Sequence, residues 1–120
     1  MPFIWYEYIR LAVFLRDQPA EDFSAEAARR TAVSRAYYGA FCHARNHAQA
    51  ELGYKPEGRA ADHTTLRTHL TGRGKREIAQ KLDQLRQWRN KCDYEDTCAA
   101  LAQILPAAIA AAQKVVGHLK

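Results

Sequence analysis

The sequence predicts a single all-α domain, an antiparallel bundle of about five helices. Ala, Leu, Arg and Gln are abundant, whereas the 120 residues include only 4 prolines and 6 glycines, which favours helix over sheet. Apolar residues recur with the period of a helix, and no alternating strand pattern competes with it. A chain of this length with 48% hydrophobic residues can bury one core but not two. Residues 1–120 are therefore expected to form one domain.

The first predicted helix runs from about Phe3 to Arg16. The residues expected on its buried face are Ile4, Tyr8, Leu11 and Leu15. Its high aromatic content suggests that more than one face is covered. The segment Asp17-Gln18-Pro19 should end it, because the residue before a proline avoids the helical conformation.

The second predicted helix is the longest. Ser24 is a natural amino-terminal cap, and Gly53 should stop the helix after Leu52. The apolar stripe of this helix comprises Val33, Tyr37, Ala40, Phe41, Ala44, Ala48 and Leu52. The stripe gives about five turns of uninterrupted helical periodicity, with which no strand pattern competes.

Three shorter helices are predicted to follow a loop from Tyr54 to Ala61. Asp62 should cap the third helix, which runs through His69 and ends at Gly72. The fourth spans Lys75 to about Cys92, and the fifth about Asp96 to Val116, with a kink at Pro106 because proline removes a helical hydrogen bond. The inward residues expected in the fifth helix are Leu101, Ile104, Leu105, Ala108, Ile109 and Val115.

The fourth predicted helix carries a guanidinium in its apolar stripe. The stripe reads Ile78, Leu82, Leu85, Arg89 and Cys92, with spacings of three and four residues. A fixed charge is not buried without a partner or a purpose, so Arg89 should meet a carboxylate, a phosphate or an interface. Alternatively, Arg89 lies at the edge of the stripe, covers apolar surface with its stem and keeps its head in water.

Two short motifs resemble those of the HEPN superfamily of small helical-bundle proteins. Ser34-Arg35-Ala36-Tyr37-Tyr38-Gly39-Ala40-Phe41 is similar to that superfamily's Ala-Tyr-Tyr-Ala-x-Phe run. Arg89-Asn90 resembles the start of its Arg-polar-x-x-x-x-His ribonuclease motif. The resemblance spans about Ala27 to about Asp96. It implies a homodimer in which Arg and His from two protomers cleave RNA without metal, and a small nucleotidyltransferase partner acting as antitoxin.

This sequence departs from the ribonuclease motif at its histidine. Tyr94, followed by Glu95 and Asp96, occupies that region. Members with an Arg-x-x-Ala-Asp-Tyr version also exist, so weak activity or none is expected. The resemblance assigns catalytic roles to Arg89, which would hold the phosphate with two hydrogen bonds, to Asn90, which would orient it, and to Tyr94, an acid or a positioning group. His63 and His69 are alternative proton-transfer groups, although surface histidines without a role are the simpler interpretation.

Basic charge is concentrated in one part of the chain. The net charge is +5, and between Arg67 and Lys91 eight Lys or Arg residues face only Glu77 and Asp83. Such a surface attracts polyanions, although a solvated helix face is the common alternative. The residues expected to contribute to binding RNA, a nucleotide or a partner are Arg35, Tyr38, His63, Arg73, Lys75, Arg76, Arg86, Lys91 and Asp93.

Three functional classes follow from these patterns: a ribonuclease toxin, a noncatalytic HEPN-like binding module, and a structural helical subunit. No metal is expected, because His43 and His47 are one turn apart but lack a third ligand. No cofactor is expected either, since the glycines of Thr71-Gly72-Arg73-Gly74 are too close together for a P-loop. Cys42, Cys92 and Cys98 are an odd number without disulfide spacing, which, with the lack of a leader or a membrane span, indicates the cytoplasm.

Overall fold

The computed structural model describes residues 2–18 and 23–120. The described residues form five helices and no strand, which confirms the predicted all-α bundle. The predicted role of Pro19 in ending the first helix lies outside these residues. The helices are α1 (Tyr6–Asp17), α2 (Ala25–Glu51), α3 (Asp62–Gly72), α4 (Arg76–Tyr94) and α5 (Leu101–His118).

Helix α2 is the centre of the bundle and contacts each of the other four helices. As predicted, the Ser24 hydroxyl caps it by accepting a hydrogen bond from the Ala27 amide at 3.0 Å. A buried alanine recurs at every fourth residue: Ala28, Ala32, Ala36, Ala40, Ala44 and Ala48. Small side chains along one ridge let neighbouring helices approach closely. Tyr37 and Phe41 of the predicted stripe are also buried, at 1% and 6% exposed.

The buried face of α1 differs from the prediction. Ile9 and Ala12 are fully buried, whereas Ile4 and Leu11 are 66% and 40% exposed. The reason is Gly39 of α2, where an added Cβ would lie 2.9 Å from Ile9 Cγ1. The missing side chain of Gly39 leaves the space into which the Ile9 face of α1 packs.

Asp62 has a different role from the predicted helix cap. Its carboxylate accepts hydrogen bonds from the backbone amides of Glu57 and Gly58 at 2.9 and 2.8 Å. Together with the Arg59 amide, these bonds hold the pKa of the Asp62 carboxyl below its usual range. The carboxylate therefore organises the loop before α3, and no side chain caps the helix itself.

The fifth helix begins at Leu101 and not at Asp96. The Arg30 guanidinium from α2 donates to the backbone carbonyls of Cys92, Glu95 and Asp96, which satisfies acceptors that a helix end leaves open. The chain can therefore leave the helical conformation after α4. Pro106 lies within α5, and its kink stays a prediction. Across residues 2–18 and 23–120, each helix is too short or too polar to cross a lipid bilayer.

Candidate functional site

Arg89 is buried in the apolar stripe of α4, as the sequence predicts. Every residue of that stripe is buried, and Arg89 itself is only 9% exposed. The alternative of an exposed head with a buried stem is therefore wrong. The guanidinium faces α2, which packs against α4. A buried charge in this position needs compensation from its neighbours.

Three tyrosine rings surround the Arg89 guanidinium. Its central carbon lies 5.4 Å from the ring centroid of Tyr37, 5.2 Å from that of Tyr38 and 5.8 Å from that of Tyr94. The electron-rich faces of aromatic rings attract a cation at such distances. We call Arg89, these three tyrosines and Asp93 the Arg89 cluster.

The polar contacts of Arg89 are long. Its Nη1 lies 3.9 Å from Asp93 Oδ2 and 3.4 Å from the Tyr94 hydroxyl, both beyond the usual hydrogen-bond range. Among the described residues, its buried Nε has no hydrogen-bond partner. Asp93 also accepts a hydrogen bond from the Ser34 hydroxyl at 3.2 Å, which diverts part of the carboxylate from the guanidinium. Arg89 thus retains unused capacity to donate hydrogen bonds.

His63 joins the cluster through Tyr37. The Tyr37 hydroxyl and His63 Nδ1 are hydrogen-bonded, and the imidazole stacks on the Phe41 ring with centroids 4.3 Å apart. Burial raises the pKa of the Tyr37 hydroxyl, so Tyr37 keeps its proton. Burial, with the positive charge of Arg89, lowers the pKa of His63. Both shifts favour the neutral forms, so the contact joins a neutral phenol to a neutral imidazole.

Two further arginines lie beside His63 and share one carboxylate. Asp83 Oδ1 is 3.6 Å from Arg67 Nη2 and 3.3 Å from Arg86 Nη2. Arg67 also donates to the His63 carbonyl at 2.7 Å. Both guanidiniums help to lower the pKa of His63. The predicted residue Arg86 therefore extends the positive charge of the Arg89 cluster towards α3.

Arg35 extends the same charge towards α1. Its guanidinium lies 5.2 Å from the Tyr38 centroid and 4.7 Å from that of Tyr8. The Tyr38 ring is therefore close to two guanidiniums, those of Arg35 and Arg89. This arrangement brings together the predicted residues Arg35, Tyr38, His63, Arg86, Arg89, Asp93 and Tyr94.

Asn90 and Lys91 lie next to Arg89 in sequence but turn away from it on the helix. Successive residues are rotated by about 100°, so Asn90 lies about 100° and Lys91 about 200° around α4 from Arg89. Both are half-buried. The geometry therefore does not bring Lys91 to the Arg89 cluster, and Asn90 borders it from the side.

Three predicted binding residues lie where α3 turns into α4: Arg73, Lys75 and Arg76. Arg73 lies close to Gly53, which follows the end of α2: a Cβ atom added at Gly53 would be 3.3 Å from Arg73 Nη2. Gly53 lies 15 residues after Tyr38, and the part of α2 between them is roughly 20 Å long. The basic segment therefore divides into two groups, and only one of them lies near Arg89.

Two histidines considered in the sequence have structural contacts. His69 Nε2 lies 2.6 Å from the Leu52 carbonyl, and His43 Nε2 lies 2.6 Å from the Leu119 carbonyl. Because a carbonyl only accepts, each imidazole donates there. His69 connects α3 to the end of α2, and His43 connects α2 to the carboxyl-terminal residues. Neither contact involves the Arg89 cluster.

The surface next to Tyr94 is acidic. An open hollow of about 550 Å³ is lined by Ser24, Glu26, Ala27, Arg30, Asp93, Tyr94, Glu95 and Asp96. Four carboxylates against a single arginine repel a polyanion. The positive charge of Arg35 and Arg86 therefore favours the approach of an anionic ligand from their side.

The sequence analysis did not identify the contact of Ser34 with Asp93 or the two arginine guanidiniums that share the Asp83 carboxylate. It assigned Tyr37 to the core without a polar role. The i to i+4 spacing of Arg89 and Asp93 was the available signal for the ion pair. The Tyr37–His63 contact joins residues 26 positions apart, for which the sequence has no periodic signal. Comparison of the chain with family models, with curated proteins and with solved structures gave no match.

Proposed function

We propose that the chain is a HEPN-like RNA-binding protein in which Arg89 is the ligand of an RNA phosphate. The observation that carries this proposal is the state of the Arg89 guanidinium: 9% exposed, yet held only by long contacts. Buried polar groups normally have good hydrogen bonds. A phosphate in place of the Asp93 and Tyr94 contacts would accept two short bonds from the planar guanidinium.

The surroundings of Arg89 suit RNA better than a small anion. Tyr94 is 75% exposed, so its ring can swing out of contact with Arg89 and stack on a base. Tyr38, which is half-buried, presents a second ring beside two guanidiniums. Arg35 and Arg86 extend the charge to either side of the cluster, where neighbouring phosphates of a strand would lie.

The geometry favours binding over cleavage. A general base for the 2′-hydroxyl needs a free acceptor atom and a pKa near the working pH. His63 is hydrogen-bonded to the Tyr37 hydroxyl through Nδ1, and its lowered pKa makes the imidazole a weak base. Tyr94 occupies the position of the motif histidine, 3.4 Å from Arg89 Nη1. A histidine at that position would supply the missing group.

A homodimer is part of the proposal. Four apolar side chains in and just before α1 are 40% or more exposed: Phe3, Ile4, Leu11 and Phe14. Exposed apolar residues in one short part of the chain favour association, and a twofold contact is the commonest solution. The resemblance adds a nucleotidyltransferase as the partner that would cover the Arg89 cluster.

The test measures binding of a fluorescently labelled single-stranded RNA by anisotropy at two salt concentrations. Arg89→Ala should weaken binding by roughly 10- to 150-fold, the effect of losing charge-assisted hydrogen bonds of about 1.5–3 kcal/mol. Arg76→Ala removes the same charge from the same helix about 20 Å away and is the matched control. It should reduce the salt dependence and change affinity much less. Circular dichroism checks that each variant is folded.

Other outcomes separate the remaining classes. Equal losses for Arg89→Ala and Arg76→Ala would show that the charge is unspecific. If Arg89→Ala unfolds the protein while Arg89→Lys keeps the wild-type affinity for RNA, Arg89 is a structural cation that the tyrosine rings stabilise. Cleavage is measured in the presence of EDTA, where Tyr94→His should raise activity and Arg89→Ala abolish it. Sedimentation of the wild type at 13.6 kDa would contradict the homodimer.

A further inference from the structure

Two thiols meet at the junction of α4 and the connection to α5. The Sγ atoms of Cys92 and Cys98 lie 3.7 Å apart. Cys92 is 2% exposed in the last turn of α4, and Cys98 is half-buried in the non-helical segment before α5. We propose that Cys92 and Cys98 form a redox modification site that reacts with a peroxide to give an intramolecular disulfide.

The geometry allows the bond to close. A disulfide requires an Sγ separation of about 2.05 Å, so the two sulfurs must approach by about 1.7 Å. Cys92 is fixed by its helix and by Arg30, which donates to its carbonyl at 3.1 Å. Cys98 lies beyond the carbonyls of Glu95 and Asp96 that Arg30 also holds, and its backbone is outside any helix. The movement can therefore come from Cys98.

The difference in burial sets the order of the chemistry. Burial, together with the contact with Cys98, raises the pKa of the Cys92 thiol to about 12, so Cys92 stays protonated and reacts second. The more accessible Cys98 thiolate attacks one peroxide oxygen and the O–O bond breaks, which gives a sulfenic acid and, after protonation, water. The Cys92 sulfur then attacks the sulfenic sulfur, and the hydroxyl leaves with the Cys92 proton as a second water. Two thiols lose two electrons and two hydrogens, and one peroxide is reduced.

The disulfide would close a ring that contains Asp93 and Tyr94. Both residues contact Arg89 Nη1 from inside the segment 92–98. Closing the bond tightens this ring, whose members Asp93 and Tyr94 make the long contacts of the guanidinium. Oxidation should thus change RNA affinity; this step alone rests on the proposed function.

The test treats the reduced full-length protein with stoichiometric hydrogen peroxide and measures intact mass and linked peptides. The wild type and Cys42→Ser should each lose two hydrogen atoms and yield a peptide joining Cys92 to Cys98, and a dithiol reductant should reverse this. Cys98→Ser should lose none. Oxygen adducts at Cys98 without the internal bond, a disulfide between two chains, or no reaction would each overturn the proposal.

The coupling to RNA has its own readout. The anisotropy assay compares the reduced protein, the oxidised protein and oxidised Cys98→Ser. A several-fold change in affinity only in the oxidised wild type is expected. Equal affinity of its reduced and oxidised forms would overturn the coupling. Failure of both forms to bind RNA while the disulfide still forms would contradict the proposed function and leave the redox site standing.

Discussion

Replacing Gly39 by alanine tests the close contact between α1 and α2. An added Cβ would lie 2.9 Å from Ile9 Cγ1, 3.0 Å from the Trp5 carbonyl oxygen and 3.2 Å from Tyr8 Cβ. Two of these atoms belong to the backbone or to the rigid start of a side chain, so they cannot rotate away. Relief of the contact requires α1 as a whole to move outward from α2.

Two opposing effects determine the magnitude. Alanine is preferred to glycine within a helix by about 1 kcal/mol, which would stabilise the variant. Overpacking a tight contact typically costs about 1–3 kcal/mol. Because backbone atoms take part, the upper part of that range applies. We expect Gly39→Ala to lower the free energy of unfolding by about 1–2 kcal/mol, or the Tm by several degrees.

The assay is urea denaturation followed by circular dichroism. Gly117→Ala is the matched control, because Gly117 also lies in a helix but has open space at its Cβ position. The control should gain about 0.4–1 kcal/mol. If Gly39→Ala were stabilised as much as Gly117→Ala, the close approach of α1 to α2 would be refuted.

Two further predictions concern the core and His63. Phe41→Ala should lower the free energy of unfolding by about 3–5 kcal/mol in the same urea assay, because Phe41 is 6% exposed and stacks on His63. The control Lys75→Ala should have almost no effect. Equal urea midpoints for the two variants would contradict this prediction. The pKa of His63 is lowered from 6.5 in the folded protein, so below about pH 6.5 the unfolded state binds the proton first and stability falls as the pH falls. His63→Gln should flatten this dependence between pH 7 and 5 in the same assay. Identical slopes in both proteins would argue against a half-buried, neutral imidazole.

The helical periodicity determined much of the candidate site. The stripe of α4 is local in sequence, and spacings of three and four residues fix which side chains share a face. Arg89 was therefore predicted to be buried, and it is. The Ser24 cap depends on three consecutive residues and was predicted for the same reason. The RNA ligand, the homodimer and the HEPN resemblance stay predictions.

The sequence by itself determined that the chain forms a helical bundle with a guanidinium in its apolar interior. Only the tertiary structure decided what surrounds that guanidinium, because the rings of Tyr37 and Tyr38 come from α2 and the contact with His63 from α3. The tertiary structure also decided that Ile9 lies on the buried face of α1, because the space left by Gly39 is on a different helix, α2. Periodicity shows which face of a helix is apolar. It does not show which distant residue covers that face, and that choice depends on packing between helices.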